Sequence, residues 1–303
     1  MIEKFLFRKV CESMNKLAKL MITIALFLPL LEITVQASEL NFSVIPIIPE
    51  TQFNKNKSYF DLKLGAGQIQ DLEVTLKNST DKSSSVETTL NRATTNLNGV
   101  GEYGKTNTEK DSSMVNNIED YVQIREQEVL LNPNEERTIK LKVTAPKEEF
   151  EGVMVGGLTF KEKIGTMEKE KKNDTLTIEN EYAYVVGVVL HGNLDVAKPQ
   201  LALNEVEASQ VNARNVINAN LQNKTSTYIN KMEINAKITK KGSKNLLYSV
   251  EKKDMQMAPN SNFNFPISLQ GKRLEQGIYT LEMEVTSLTE TWEFRKDFAI
   301  TKE

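Results

Sequence analysis

The sequence predicts an all-β protein: two tandem immunoglobulin-like β-sandwich domains behind an N-terminal signal peptide. Three observations carry this. Apolar residues alternate with polar ones along most of the chain, as in Leu72, Val74 and Leu76, in Met232, Ile234, Ala236 and Ile238, and in Tyr279, Leu281, Met283 and Val285. Such alternation gives each strand one buried and one wet face, the mark of antiparallel sheets. The same order of signals is read twice. Strands ending in Leu76-Lys77-Asn78 and Leu221-Gln222-Asn223 are followed by the turns Pro133-Asn134 and Pro259-Asn260, and then by strands opening at Gly152 and Gly277. The Pro-to-Gly interval is 19 residues in the first copy and 18 in the second, whereas the Asn-to-Pro interval is 55 and 36. The first copy therefore carries an insertion.

The leader comes first. Lys4, Arg8, Lys9, Lys16 and Lys19 precede a 12-residue apolar run, Leu20 to Leu31, and Val35-Gln36-Ala37 offers a small-x-Ala cleavage site. The run is too short to span a membrane, which takes about 20 apolar residues, so residues 1–37 are expected to be a removed secretory signal. What remains holds 33 basic and 38 acidic residues, a net charge near −5. That balance argues against nucleic acid as a partner. The only cysteine, Cys11, leaves with the leader. An exported chain without disulfides fits a Gram-positive cell surface.

The first sandwich is expected over residues 38–196 and the second over 197–303. Seven strands are predicted in the second, at 201–206, 214–222, 228–240, 246–252, 261–269, 277–287 and 291–300, the immunoglobulin-like count. Tyr182 to Leu190 is apolar nearly throughout and is expected to be a strand buried on both faces. Gly65-Ala66-Gly67 reads as a turn. The segment from Arg92 to Asp120 has little periodicity, is rich in Asn, Thr, Gly and Lys, and holds the extra residues. A loop of this length in a compact domain is usually functional or disordered. The charged run Met167 to Lys172 reads as a solvated loop tip.

Chemistry-bearing residues are few. His191 is the only histidine and reads as a strand-end side chain; with no Gly-x-Ser-x-Gly elbow, a serine triad has no support. No Cys/His cluster exists for a structural zinc site. No catalytic residue, metal or cofactor is proposed. Binding suits the composition better, because Asn, Thr and Tyr side chains hydrogen-bond to sugar hydroxyls and peptide amides. The candidate ligand-loop residues are Asn96, Asn98, Tyr103 and Tyr121, although Tyr121 reads equally as a strand core residue. Trp292 reads as core, and Tyr59-Phe60 is open to either reading.

Several motifs in order resemble a known family. Tyr59-Phe60-Asp61-Leu62, Gly67-Gln68, Leu76-Lys77-Asn78, Ala93-Thr94-Thr95-Asn96-Leu97-Asn98-Gly99, the strand Lys140 to Pro146, and Phe150-Glu151-Gly152-Val153-Met154-Val155-Gly156-Gly157-Leu158 resemble the N-terminal domain of the WxL-interacting proteins of Gram-positive bacteria. Leu221-Gln222-Asn223, Met257-Ala258-Pro259-Asn260-Ser261, Gly277-Ile278-Tyr279 and Trp292-Glu293-Phe294 resemble their C-terminal domain. The resemblance implies a wall-associated surface protein whose first domain binds peptidoglycan and whose second binds host extracellular-matrix components. It also implies complexes with WxL-domain proteins. Family members are expected to carry a C-terminal membrane helix and basic tail, which this sequence does not show before Glu303; an anchor lost from the chain, or retention by binding alone, are the two expectations. The alternatives from other classes are a two-domain pilus-type chaperone, which would pair a donor strand along an exposed edge, and a wall hydrolase.

Overall fold

A computed structural model of the chain describes residues 41–106, 109–163, 182–195, 198–273, 275–288 and 290–301. The leader and the run Met167 to Lys172 lie outside them. No α-helix occurs among the described residues; the single helical element is a 3₁₀ turn, Ile118–Asp120.

The first half packs two sheets. One has the order β1 (Phe42–Ile47), β3 (Ile69–Asn78), β9 (Glu136–Thr144), β7 (Val122–Ile124). The other has the order β2 (Phe60–Leu62), β11 (Ala183–His191), β10 (Val153–Glu162), β4 (Ser84–Arg92), β8 (Glu128–Leu131). All these pairings are antiparallel except that of β2 with β11. Alternating side chains meet between the sheets, with Phe60, Leu62, Leu72, Leu76, Ile139, Leu141, Leu158 and Phe160 fully buried. A small hairpin, β5 (Thr94–Thr95) and β6 (Gly101–Glu102), stands apart from both sheets.

The second half has seven strands: β12 (Leu201–Val211), β13 (Arg214–Asn223), β14 (Ile229–Lys240), β15 (Leu246–Met257), β16 (Ser261–Ser268), β17 (Gly277–Thr286) and β18 (Thr291–Ile300). Sheet β12-β13-β16 faces sheet β15-β14-β17-β18. Leu221, Ile234, Ala236, Ile238, Phe265, Ile267, Leu281 and Val285 fill the space between them, and Trp292 packs partly buried against this core.

The repeated Asn and Pro-Asn signals have one physical cause. Asn78 ends β3 with its side chain buried. Its Nδ2 donates to the carbonyls of Lys82 (2.7 Å) and Asn132 (3.0 Å), and its Oδ1 accepts from Thr80 N (2.9 Å) and Oγ1 (2.8 Å). Asn223 ends β13 in the same way. Its Nδ2 donates to Thr227 O (2.7 Å) and Ala258 O (3.0 Å), and its Oδ1 accepts from Thr225 N (3.2 Å) and Oγ1 (2.9 Å). Each asparagine thus ties the turn after its own strand to the residue before the distant proline. Asn134 (φ 58°) and Asn260 (φ 45°) adopt the left-handed conformation that this turn needs and that asparagine tolerates.

One expectation is corrected. The strand over Tyr182 to Leu190 is not buried on both faces: Val186, Val188 and Leu190 are buried, but Val185 is 48% exposed and Tyr184 also reaches solvent. On the outer face Tyr59 packs over Gly187, but Val185 lies beyond this partial cover.

Candidate functional site: clefts at the junction of the two sandwiches

The insertion does not project freely. Asn96 shapes the hairpin tip: its Oδ1 accepts from the backbone N–H of Asn98 (2.9 Å) and Val100 (3.1 Å), while its Nδ2 donates to Glu102 (2.7 Å). Gly99, at φ +67°, carries the tip against the second sandwich, where a Cβ would fall 2.2 Å from Met255 Cε. The Gly99 carbonyl accepts from Gln256 N at 2.7 Å. Thr95 Oγ1 accepts from Ala258 N (3.0 Å) and lies 2.7 Å from Ser261 Oγ.

Asp111 makes the second attachment. Its buried carboxylate accepts from Gln222 Nε2 (2.8 Å), from Asn262 Nδ2, and from Ser113 N (2.9 Å) and Oγ (2.6 Å). Burial pushes this carboxyl up, but the bonds from Ser113, Asn262 and Gln222 outweigh it and hold the group below the ordinary carboxylate value. Asn260 Nδ2 donates to the carbonyl of Ser113 at 3.0 Å.

The third attachment is aromatic. Tyr103 lies over Gly157, which leaves room for it, and its hydroxyl meets that of Tyr228 at 3.0 Å. Burial, with Tyr103 beside it, raises the Tyr228 phenol well above its usual range. Ala93, Val155 and Ala258 form a small buried cluster beneath these rings. Alongside, Val153 N donates to Ser226 O (2.7 Å), and Gly152 turns at φ +74° with no space for a Cβ beside that carbonyl.

Two clefts flank this junction. One, of 880 Å³, is lined by Tyr121, Asn116, Phe150 and Pro146 of the first sandwich and by Lys198, Lys224 and Ser226 across from them. Tyr121 also packs on the first core, and its hydroxyl donates to Asn116 Oδ1 at 3.0 Å. The other, of 830 Å³, lies between the insertion and the outer face of β12, β13 and β16. Its floor is a stripe of amides: Asn204, Asn220, Gln222, Asn262 and Asn264.

The four candidate residues are therefore not gathered at one point. Tyr121 lines the first cleft and Asn96 the second. Asn98 borders a separate groove beside Val250, Met255 and Phe265, and Tyr103 sits in the junction itself. Sequence reading missed Asp111 and the amide stripe. The stripe had a signal, since Asn218-x-Asn220-x-Gln222 and Asn262-x-Asn264 place amides at every second position, on one face. Asp111 had none.

His191 pairs with Asp61 (Nε2 to Oδ1, 2.6 Å) under the ring of Phe53, and its Nδ1 has no partner among the described residues. Among the described residues, no group of His, Cys, Asp and Glu could hold a metal ion, and no helix is long and apolar enough to cross a membrane.

The strands, cores and junction define a protein of two immunoglobulin-like sandwiches joined through an insertion. The model of the WxL Interacting Protein peptidoglycan binding domain matches residues 42–162, and that of the WxL Interacting Protein host binding domain matches residues 173–303. The chain belongs to the WxL-interacting protein family. No curated protein matches it in sequence. Among solved structures it is similar to a class 5 fimbriae chaperone, CfaA (14% identity, TM-score 0.31, 87% of this chain and 100% of that one). It is also similar to the YadV chaperone (12%, 0.32, 86% and 100%). A third is the CsuC-CsuE chaperone–tip adhesion subunit complex of Acinetobacter baumannii (11%, 0.33, 75% and 90%). At such scores these likenesses say nothing about function.

Proposed function

We propose that this is a non-catalytic binding protein of the Gram-positive cell surface, exported by residues 1–37. Residues 38–196 hold peptidoglycan, residues 197–303 engage a host extracellular-matrix component, and WxL-domain proteins join it on the wall. The observation that supports this most is the pair of family matches, the first within the first sandwich and the second spanning that sandwich's last strand, β11, and the whole second sandwich. The cleft at Tyr121 is the wall-binding candidate, because it sets two rings, Tyr121 and Phe150, beside amide and hydroxyl groups. Asn96 and Asn98 act at the edges of the insertion, and Tyr103 acts through the junction.

The test is retention of residues 38–303 on insoluble peptidoglycan. Retention is expected, with Tyr121→Ala weakening it at least fivefold; moderate salt should change it little where the rings and amides carry the contact and not the lysines and glutamates that also line the cleft. No retention of the unaltered protein would sink the reading. A steep fall with salt would move the contact to charged groups, either those of the cleft such as Lys198 and Lys224 or the lysines and glutamates of residues 167–172.

A further inference from the structure

We propose that the amide-floored cleft is a second binding site, separate from that at Tyr121, and that its ligand is the main chain of an extended peptide. The first argument is pre-organisation by Asp111. A carboxylate only accepts hydrogen bonds, so Gln222 and Asn262 must both turn their NH₂ groups toward it. Their oxygens are then left as acceptors. Gln222 Oε1 takes a bond from Asn204 Nδ2 (3.1 Å), and Asn262 Oδ1 takes one from Asn220 Nδ2 (3.3 Å). Asn220 also donates to Asn264 Oδ1 (2.8 Å) and accepts from Asn204 (3.0 Å). One buried charge thus fixes which way five amides face, across three strands. Fixing them before a ligand arrives removes an ordering cost of binding.

The second argument is chemical match. Each side-chain amide carries a donor and an acceptor, as each peptide unit does. Asn264 Nδ2 has no partner among the described residues, and its residue is only half-buried. The third argument is spacing. Asn220 and Gln222, and likewise Asn262 and Asn264, stand two residues apart on their strands, about 6.8 Å. An extended peptide presents same-side backbone groups at that same repeat. A sugar ring is the poorer match. The only aromatic residue of the lining is Phe263, which is buried toward the second core, so the cleft has no flat face for a ring. Arg92, Glu102, Glu109, Lys110 and the already bonded Asp111 together give no strong charge of either sign.

The peptide's source is an extended segment of a partner protein; the stem peptides of the wall alternate D- and L-residues and contain a γ-linked glutamate, so their main chain does not keep the two-residue repeat. The test uses residues 38–303, stem peptides released from peptidoglycan by an amidase, the peptide-free glycan that remains, and a purified WxL-domain protein. Two variants report on the cleft. Asn264→Ala removes the unpartnered donor, and Leu97→Trp narrows the cleft from the opposite wall. Trp292 fluorescence on unfolding checks that Asn264→Ala keeps its fold, and circular dichroism does so for Leu97→Trp. Binding of the WxL-domain protein that falls at least fivefold in both variants supports the proposal. Binding of stem peptides in its place, or of none of the probes, overturns it. Unchanged binding in both variants, or a loss confined to the peptide-free glycan, overturns it. Tyr121→Ala is expected to leave this binding intact, which separates failure here from failure of the wall-binding reading.

Discussion

Replacing Asn223 with alanine should destabilise the second sandwich by about 3 kcal/mol, and more than Asn78→Ala destabilises the first. Four hydrogen bonds are lost at Asn223 and five at Asn78, the fifth a long one (3.4 Å) to the Leu131 carbonyl; each is worth about 1 kcal/mol net when its partner is left without a substitute. The partners differ in access to water. Around Asn223, the Ala258 carbonyl is buried at the junction, while Thr225 and Thr227 are half-buried. Some of the four find water, which brings the sum from about 4 down to about 3 kcal/mol. Around Asn78, Lys82 and Asn132 are exposed, so their carbonyls rehydrate; the buried Leu131 carbonyl is only a long, shared acceptor at 3.4 Å, since the two Nδ2 hydrogens serve three carbonyls, and the cost falls to about 2 kcal/mol. For a domain of this size, about 3 kcal/mol is a fall in Tm of roughly 12–20 °C. The chain has a single tryptophan, Trp292, and it packs on the second core, so its fluorescence in urea reads that sandwich directly. Circular dichroism follows the first. If Asn78→Ala costs as much as Asn223→Ala, access to water does not set the difference; if neither exceeds about 1 kcal/mol, the shared asparagine network is not what holds these turns.

Other consequences follow from the junction. Asp111→Asn offers an NH₂ group where Gln222 or Asn262 also presents one, and should cost about 1–3 kcal/mol at neutral pH, read by urea unfolding. Against the upward push of burial, the bonds from Ser113, Asn262 and Gln222 hold the folded-state pKa of Asp111 below its unfolded value, so its contribution is complete above the unfolded value and is lost as pH falls through the folded one; the variant should lack that acid-side loss. Tyr103→Phe and Tyr228→Phe delete the same bond, so their costs should not add, and a double-mutant cycle should give a coupling of about 1 kcal/mol. Gly152→Ala places a Cβ 2.0 Å from Ser226 O at a positive φ, and should cost at least about 2 kcal/mol in the same unfolding assay.

The fold was readable because burial in a sandwich imposes a period of two. Most strands of the second half announce themselves that way, from Ile217, Ala219 and Leu221 to Leu281, Met283 and Val285, whereas the largely exposed β15 does not. The repeat was readable too, because a buried asparagine and a left-handed Pro-Asn turn leave few residue choices. Its bonds were not readable, since Asn223 reaches Ala258 across 35 residues. The apolar run at Tyr182 misled for a definite reason. An apolar outer face means either full burial or partial cover by something distant, and here Tyr59 over Gly187 and Tyr103 over Gly157 provide only partial cover.

The insertion shows the limit most plainly. Asn, Thr and Gly supply hydrogen bonds equally well to water, to a ligand or to another domain, so composition cannot choose among them. The choice is made by partners more than 100 residues away: Tyr228 for Tyr103, Gln222 for Asp111, Ser261 for Thr95. Those same bonds turn the residues that looked most like an open ligand loop into the walls of two clefts, each using both sandwiches. A ligand held in either cleft would therefore touch both sandwiches at once. Loosening the junction, by Asp111→Asn or Tyr103→Phe, should consequently weaken binding at a cleft whose lining is untouched by the change.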